Sequence, residues 1–325
     1  MTKTASVRRG GLPFVLTGCL VVLCATGRSR AQDAAIETAE STRWAVIFVG
    51  LHGDAEHEQL FRETASQLQT WLTGPLQFPQ DQVLRPSSES NPDKQSSAAP
   101  LTAAAMRSTL TELKTKLKPD DTLWVFTLGH GNYDGKRGWF HVAGPDPSGD
   151  DIGRWMAEIR CREQVIWLTQ ASSGWFVKAL SRPGRIVIAA TATDDESNET
   201  EFPQALATVM QRPVAELDRD QDKSVSVAEL FSAAVAESLQ RFKSDNRLPT
   251  EHPQLDDNGD GVGTEEIWPG NSSDVADSVE PADKESPPPT QPRAPSVKTD
   301  GELARRTIVP YRSAVDVADP KPDSR

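Results

Sequence analysis

Cysteine is nearly absent from this chain. Only three occur in 325 residues, and two of them, Cys19 and Cys24, lie in an apolar N-terminal stretch. That stretch has the parts of a secretory signal peptide. Lys3, Arg8 and Arg9 make a basic start, Leu12 to Ala25 an apolar run, and Ser29-Arg30-Ala31 places small residues around a cleavage point after Ala31. The run is too short and wrongly flanked for a stable membrane span. A lipoprotein-like Leu16-Thr17-Gly18-Cys19 is the weaker reading, because the apolar run continues through Leu20-Val21-Val22-Leu23. The sequence therefore predicts a signal peptide over 1–31 and a secreted or periplasmic protein without a membrane span. Loss of 1–31 leaves Cys161 as the sole thiol, which excludes an intramolecular disulfide.

Positive charge is scarce too. Removing 1–31 takes five basic residues and no acidic one, leaving 30 Lys and Arg against 47 Asp and Glu, a formal charge of −17. Such a balance argues against nucleic acid and anionic membranes as partners and suits cations. Aromatics are unevenly spread: all eight tryptophans fall between Trp44 and Trp268, and beyond Trp268 the one aromatic is Tyr311. That last stretch holds ten of the 24 prolines, including Pro287-Pro288-Pro289. Little apolar surface is available there to offset the entropy of ordering, so 268–325 reads as a disordered tail. Within it, Thr307-Ile308-Val309-Pro310-Tyr311 is an apolar island suited to docking. Residues 32–42 read as a flexible lead-in, 43–212 as the main domain, 213–267 as a second segment packed on it, and 85–100 as a polar loop.

Inside the domain, short apolar runs alternate with helical patterns. Trp44–Val49, Thr122–Leu128, Gln164–Gln170 and Arg185–Ala190 read as buried strands, with a short one at Val83-Leu84 and a hairpin strand at Trp139–Val142. Leu60, Phe61, Ala65, Leu68, Trp71 and Leu72 recur at helical spacing, as do Met106, Leu110, Leu113 and Leu117. Residues 151–160 and 173–180 read as shorter helices. Continuous apolar strands separated by helices predict an α/β fold with a mostly parallel sheet and helices on both faces. In such folds the working groups sit beyond the carboxyl ends of the strands. Two motifs occupy that place: Gly129-His130-Gly131, and Gln170-Ala171-Ser172-Ser173-Gly174, which lies at the start of a helix.

The strongest ligand pattern lies further on. Asp218 to Glu229 fits the twelve-residue EF-hand loop, with Asp218, Asp220, Asp222 and Ser226 at positions 1, 3, 5 and 9. Ser224 offers its carbonyl at position 7, and Glu229 a bidentate carboxylate at position 12. Calcium is the cation such hard oxygen donors select. Two departures stand out: Lys223 replaces the glycine of position 6, and Pro213 leaves room for only a short entering helix. Asp256, Asn258 and Asp260 repeat the first half of the loop, but Ile267 stands at position 12, so this is a half-site.

Together these residues resemble the caspase/legumain superfamily over roughly 43–265, and within it bacterial caspase-like proteins with a calcium-loop-bearing C-terminal half. The caspase nucleophile signature is Gln-Ala-Cys-x-Gly, with a histidine about 50 residues upstream. Here Ser172 stands at the cysteine position and His130 lies 42 residues before it. The resemblance implies a caspase-like fold, with His130 and Ser172 at the catalytic positions. A serine hydroxyl ionises far less readily than a thiol, needing a general base and a group to orient that base. His130 would be the base, while Asp134, Asp194 and Asp195 are orienters without a motif behind them. Two readings follow. The favoured one is a pseudopeptidase that binds calcium and engages a protein or peptide. The other is a hydrolase of peptide or ester bonds in which Ser172 attacks and His130 takes its proton.

Overall fold

The computed structural model describes residues 42–87, 100–193, 196–268 and 299–311. The predicted signal peptide over 1–31, the predicted lead-in up to residue 41, most of the predicted polar loop (88–99), Asp194, Asp195 and the stretches 269–298 and 312–325 lie outside the described residues.

The chain runs β1 (Arg43–Val49), α1 (Ala55–Thr73), β2 (Val83–Leu84), α2 (Ala103–Lys116) and β3 (Thr122–Leu128). A hairpin follows, β4 (Gly131–Tyr133) and β5 (Gly138–Phe140), then α3 (Gly149–Met156), β6 (Glu163–Leu168), α4 (Gly174–Leu180), β7 (Arg185–Ala189) and α5 (Phe202–Met210). Next come β8 (Ser224–Ser226), α6 (Val227–Ser244) and β9 (Gln254–Asp256), and finally α7 (Glu302–Arg306) and β10 (Ile308–Pro310).

Six strands form the central sheet in the order β2-β1-β3-β6-β7-β9. The first five are parallel; β9 closes one edge antiparallel to β7, with Ile188 opposite Leu255. Strand residues alternate between faces, and both faces are apolar here, so each receives its own layer of helices. Along β3, Trp124, Phe126 and Leu128 pack with residues of α1, α5 and α6. Leu123 and Val125 pack on the other side with α2, α3 and α4. On the first face Phe126 stacks on Trp167 with ring centroids 6.1 Å apart, and Trp167 stacks on Phe202 of α5 at 6.5 Å. The α/β architecture with a mostly parallel sheet and helices on both faces is thus the one the apolar runs predict.

Helix starts follow the local chemistry. Asp54 caps α1 by accepting from the His57 amide, and Thr102 caps α2 through the Ala105 amide. Ser148 with Asp151, and Ser226 with Glu229, form reciprocal capping boxes on α3 and α6. Ahead of Asp218, Pro213 leaves a single 3-10 turn, Val214–Glu216.

One expectation is corrected. Residues 299–311 belong to the stretch read as a disordered tail, yet they form α7 and β10, and β10 pairs with β8 of the Asp-rich segment. Ala304 is fully buried and Val309 is 2% exposed. Composition alone misjudges this piece because its order comes from a partner. β10 pairs with the otherwise open edge of β8, Val309 facing Val225 across the ladder.

Candidate functional site

The turns that carry His130 and Ser172 leave neighbouring strands, β3 and β6, at the same end of the sheet. They touch. A Cβ on Gly131 would lie 2.7 Å from Gln170 Cγ and 2.8 Å from the Ala171 carbonyl, so only glycine permits this approach. Gly174 is equally constrained, since a Cβ there would sit 2.3 Å from the Ala192 carbonyl. Behind the turn, Ser173 Oγ accepts from the Thr191 amide at 3.1 Å, and the Gly174 amide donates to Thr191 Oγ1 at 3.1 Å. Ser172 itself adopts the left-handed conformation, φ 57°. Its amide donates to the Glu196 carbonyl at 3.1 Å. Glu196 holds the turn from outside: its carboxylate accepts from the amides of Ala192 and His252, at 2.7 and 3.0 Å, and pairs with the His252 ring.

His130 is half-buried among three groups. Its Nε2 donates to the His52 carbonyl at 3.2 Å, a tautomer that leaves Nδ1 as an acceptor. The rings of His57 and Phe61 meet it edge-on, with centroids at 4.8 and 5.3 Å. His57 bridges two carboxylates, Nδ1 to Asp54 Oδ2 at 2.8 Å and Nε2 to Glu199 Oε1 at 2.5 Å. Partial burial opposes its protonation, but the bonds to Asp54 and Glu199 outweigh burial and raise its pKa above the ordinary histidine value.

Among the described residues no hydrogen bond joins His130 to Ser172, and Ser172 is 2% exposed. The crevice beside them, lined by Phe61, His130, Ala171, Glu199 and Gln204, has a volume of ≈ 10 Å³, room for about one water. Asp134 is not an orienter for His130: its carboxylate accepts from the Lys136 and Arg137 amides and from Trp139 Nε1 within the β4–β5 turn. The orienting group is a backbone carbonyl, that of His52, which no side-chain pattern announces. Cys161 precedes β6 at the opposite end of the sheet from His130, and its thiol donates to the Glu163 carbonyl at 3.4 Å. Burial raises the Cys161 pKa above the usual thiol value.

In the Asp-rich loop the carboxylates of Asp218, Asp220 and Asp222 gather with ligand oxygens within 4.8 Å of one another. Asp218 is 6% exposed and its Oδ2 accepts from the Lys223 amide at 2.9 Å and the Tyr311 hydroxyl at 3.0 Å. Gln221 and Lys223 take left-handed φ values of 60° and 68°, and so the position where the motif prefers glycine is left-handed here too. Asp220 has its pKa raised, first by lost solvation and then by the charges of Asp222 and Glu229. Ser224 and Ser226 lie on β8. Glu229 stands apart from the three aspartates: one oxygen accepts from the Arg219 amide at 2.7 Å and the other from the Ser226 amide and hydroxyl, each at 2.7 Å.

The second Asp-rich turn repeats the same wiring. Asp256 Oδ2 accepts from the Gly261 amide at 3.1 Å, as Asp218 accepts from Lys223, and Asp260 Oδ1 accepts from Val262 at 2.8 Å, as Asp222 accepts from Ser224 at 2.7 Å. Asn258 Oδ1 accepts from the Asp260 amide at 2.8 Å. Asp256 also ends β9, so this turn is anchored to the central sheet.

No protein-family model matches this chain, and no curated protein matches it. Among solved structures it is similar to the Drosophila initiator caspase Dronc, at 11% identity and a TM-score of 0.40, covering 68% of this chain and 81% of that one. A protein from Geobacter sulfurreducens is similar at 11% identity and TM-score 0.40, covering 66% of this chain and 93% of the other. No described helix is long and apolar enough to cross a membrane.

Proposed function

We propose that this is an exported, calcium-binding protein of caspase-like fold, without cysteine-peptidase chemistry, that acts as a binding or scaffolding module for a protein or peptide. The observation that carries the reading is the convergence of Asp218, Asp220 and Asp222 in a loop with left-handed turns at its fourth and sixth positions. Three carboxylates this close repel one another, and a divalent cation relieves that repulsion. Asp218, Asp220, Asp222, the Ser224 carbonyl and Ser226 would hold the ion, and Glu229 would complete the set by leaving its capping contacts. Bound calcium would supply charge neutralisation and a rigid loop. Isothermal titration of calcium into the full chain and into Glu229→Gln tests this: strong loss of binding in the variant is expected, and unchanged binding rejects the loop assignment.

One observation favours the alternative hydrolase. His130 is oriented by the His52 carbonyl with Nδ1 left as an acceptor, the state a general base requires. Against it stand the burial of Ser172 and the one-water crevice. A fluorophosphonate probe decides between them. No labelling is expected; labelling that disappears in Ser172→Ala establishes the hydrolase.

A further inference from the structure

The docked segment 299–311 touches both Asp-rich loops at once. At one end, β10 pairs antiparallel with β8, whose three residues are positions 7 to 9 of the first loop, and Tyr311 donates to Asp218, its position 1. At the other end, the carboxylate of Asp257, 5% exposed, accepts from the Gly301 amide at 2.9 Å and the Ala304 amide at 2.7 Å. Asp300 answers, accepting from the amides of Asp257 and Asn258 at 3.0 and 3.3 Å. Between the two ends stands Trp268. Arg219, from position 2 of the first loop, lies over its ring at 4.9 Å, Arg305 of α7 lies over it at 5.8 Å, and Arg305 also donates to the Ile267 carbonyl.

We propose that residues 299–311 are a strap whose docking and the loading of loop 218–229 with calcium stabilise each other. The inference rests on the calcium reading of that loop, and it adds a switched element to it. The physical link is shared backbone. Without a cation, repulsion among Asp218, Asp220 and Asp222 loosens the loop, and β8 is both part of that loop and the edge on which β10 is registered. Loosening β8 therefore costs the strap its ladder, the Asp218–Tyr311 bond and the Arg219–Trp268–Arg305 stack together. The converse holds by linkage: a docked strap pre-orders β8 and fixes the Asp218 carboxylate through Oδ2, so calcium binds more tightly. The strap thus turns cation level into exposure of Val309, 2% exposed when docked, and of the β8 edge.

Amide hydrogen exchange on the full chain, in calcium chloride and in EGTA, reads the coupling directly, with titration calorimetry run in parallel. Peptides covering 299–311 are expected to exchange at least about fivefold faster in EGTA, the lower end of ordinary couplings between sites. Val309→Asp, which unseats β10, is expected to weaken calcium binding by a similar factor. Tyr311→Phe, which leaves the apolar packing intact, serves if that variant folds poorly and is expected to weaken binding in the same direction. Calcium heat with no change in strap exchange overturns the coupling while leaving the calcium site standing. Absence of heat overturns the calcium reading itself and the coupling with it.

Discussion

The Tyr311 hydroxyl donates to Asp218 Oδ2 at 3.0 Å, joining the residue that follows β10, the last described strand, to the first position of the Asp-rich loop. Asp218 is nearly buried, so this bond forms where water competes weakly. Tyr311→Phe removes it and keeps the ring. A hydrogen bond to a charged group contributes about 1.5–3 kcal/mol when well shielded; with the phenol partly exposed, a loss of about 1 kcal/mol is expected. Urea unfolding of metal-free protein measures it, and an unchanged midpoint removes the bond from the account of strap stability.

Lys223 occupies a position whose φ of 68° suits glycine. A side chain there costs roughly 1–2 kcal/mol, while glycine gives back about 0.5–1 kcal/mol in unfolded-state entropy. Lys223→Gly is therefore expected to raise unfolding stability by about 0.5–1 kcal/mol. Lys223→Ala removes the charge but keeps the Cβ and should show no such gain. Equal gains in both variants would mean that charge, not backbone conformation, is the strained element.

Glu251 brings a pH dependence of its own. It is 2% exposed, and burial raises its pKa to about 7, partly opposed by bonds from Ser238 Oγ and the Glu201 amide. Because the folded pKa lies above the unfolded one, the folded state holds the extra proton between roughly pH 4.5 and 7. Stability from this group is full below that window and is lost as pH rises through it, on the order of 3 kcal/mol in all. Glu251→Gln can keep an acceptor for the Glu201 amide without the charge. It is expected to flatten the slope between pH 5 and pH 8 in urea midpoints relative to the parent protein. Parallel slopes would show that Glu251 is ionised in the fold without penalty.

Much of the architecture was legible because burial on both faces writes itself into sequence. Thr122–Leu128 and Arg185–Ala189 are strands throughout, and every residue of each is buried. The approach of Asp218, Asp220 and Asp222 to one another was equally plain, since their spacing puts three carboxylates in one turn. What escaped notice is backbone and partnership. β9 carries one apolar residue between Gln254 and Asp256, too few for any periodicity, and gains its place from pairing with β7. The orienter of His130 is a carbonyl, and Glu196 braces Ser172 partly through its own carbonyl. α7 has ordinary tail composition and its order depends on Asp257, whereas β10 falls within the apolar island Thr307–Tyr311 and pairs with β8.

Any chemistry between His130 and Ser172 requires their two turns to stay in contact, and Gly131 is the gauge of that contact. A methyl at Gly131 would meet Gln170 Cγ at 2.7 Å, the Ala171 carbonyl at 2.8 Å and the Trp139 carbonyl at 2.9 Å. Two of these are backbone atoms, one in the Ser172 turn and one in β5, and neither yields by a rotamer change. Overpacking of this kind costs about 1–3 kcal/mol, and the upper half of that range is expected for Gly131→Ala. Thermal or urea unfolding measures it. The Asp-rich loop lies outside the contact, so calcium heats in Gly131→Ala should match those of the parent chain. A loss below about 0.5 kcal/mol, within the range of an ordinary surface substitution, would mean that the turns slide apart freely and that His130 and Ser172 form no site at all.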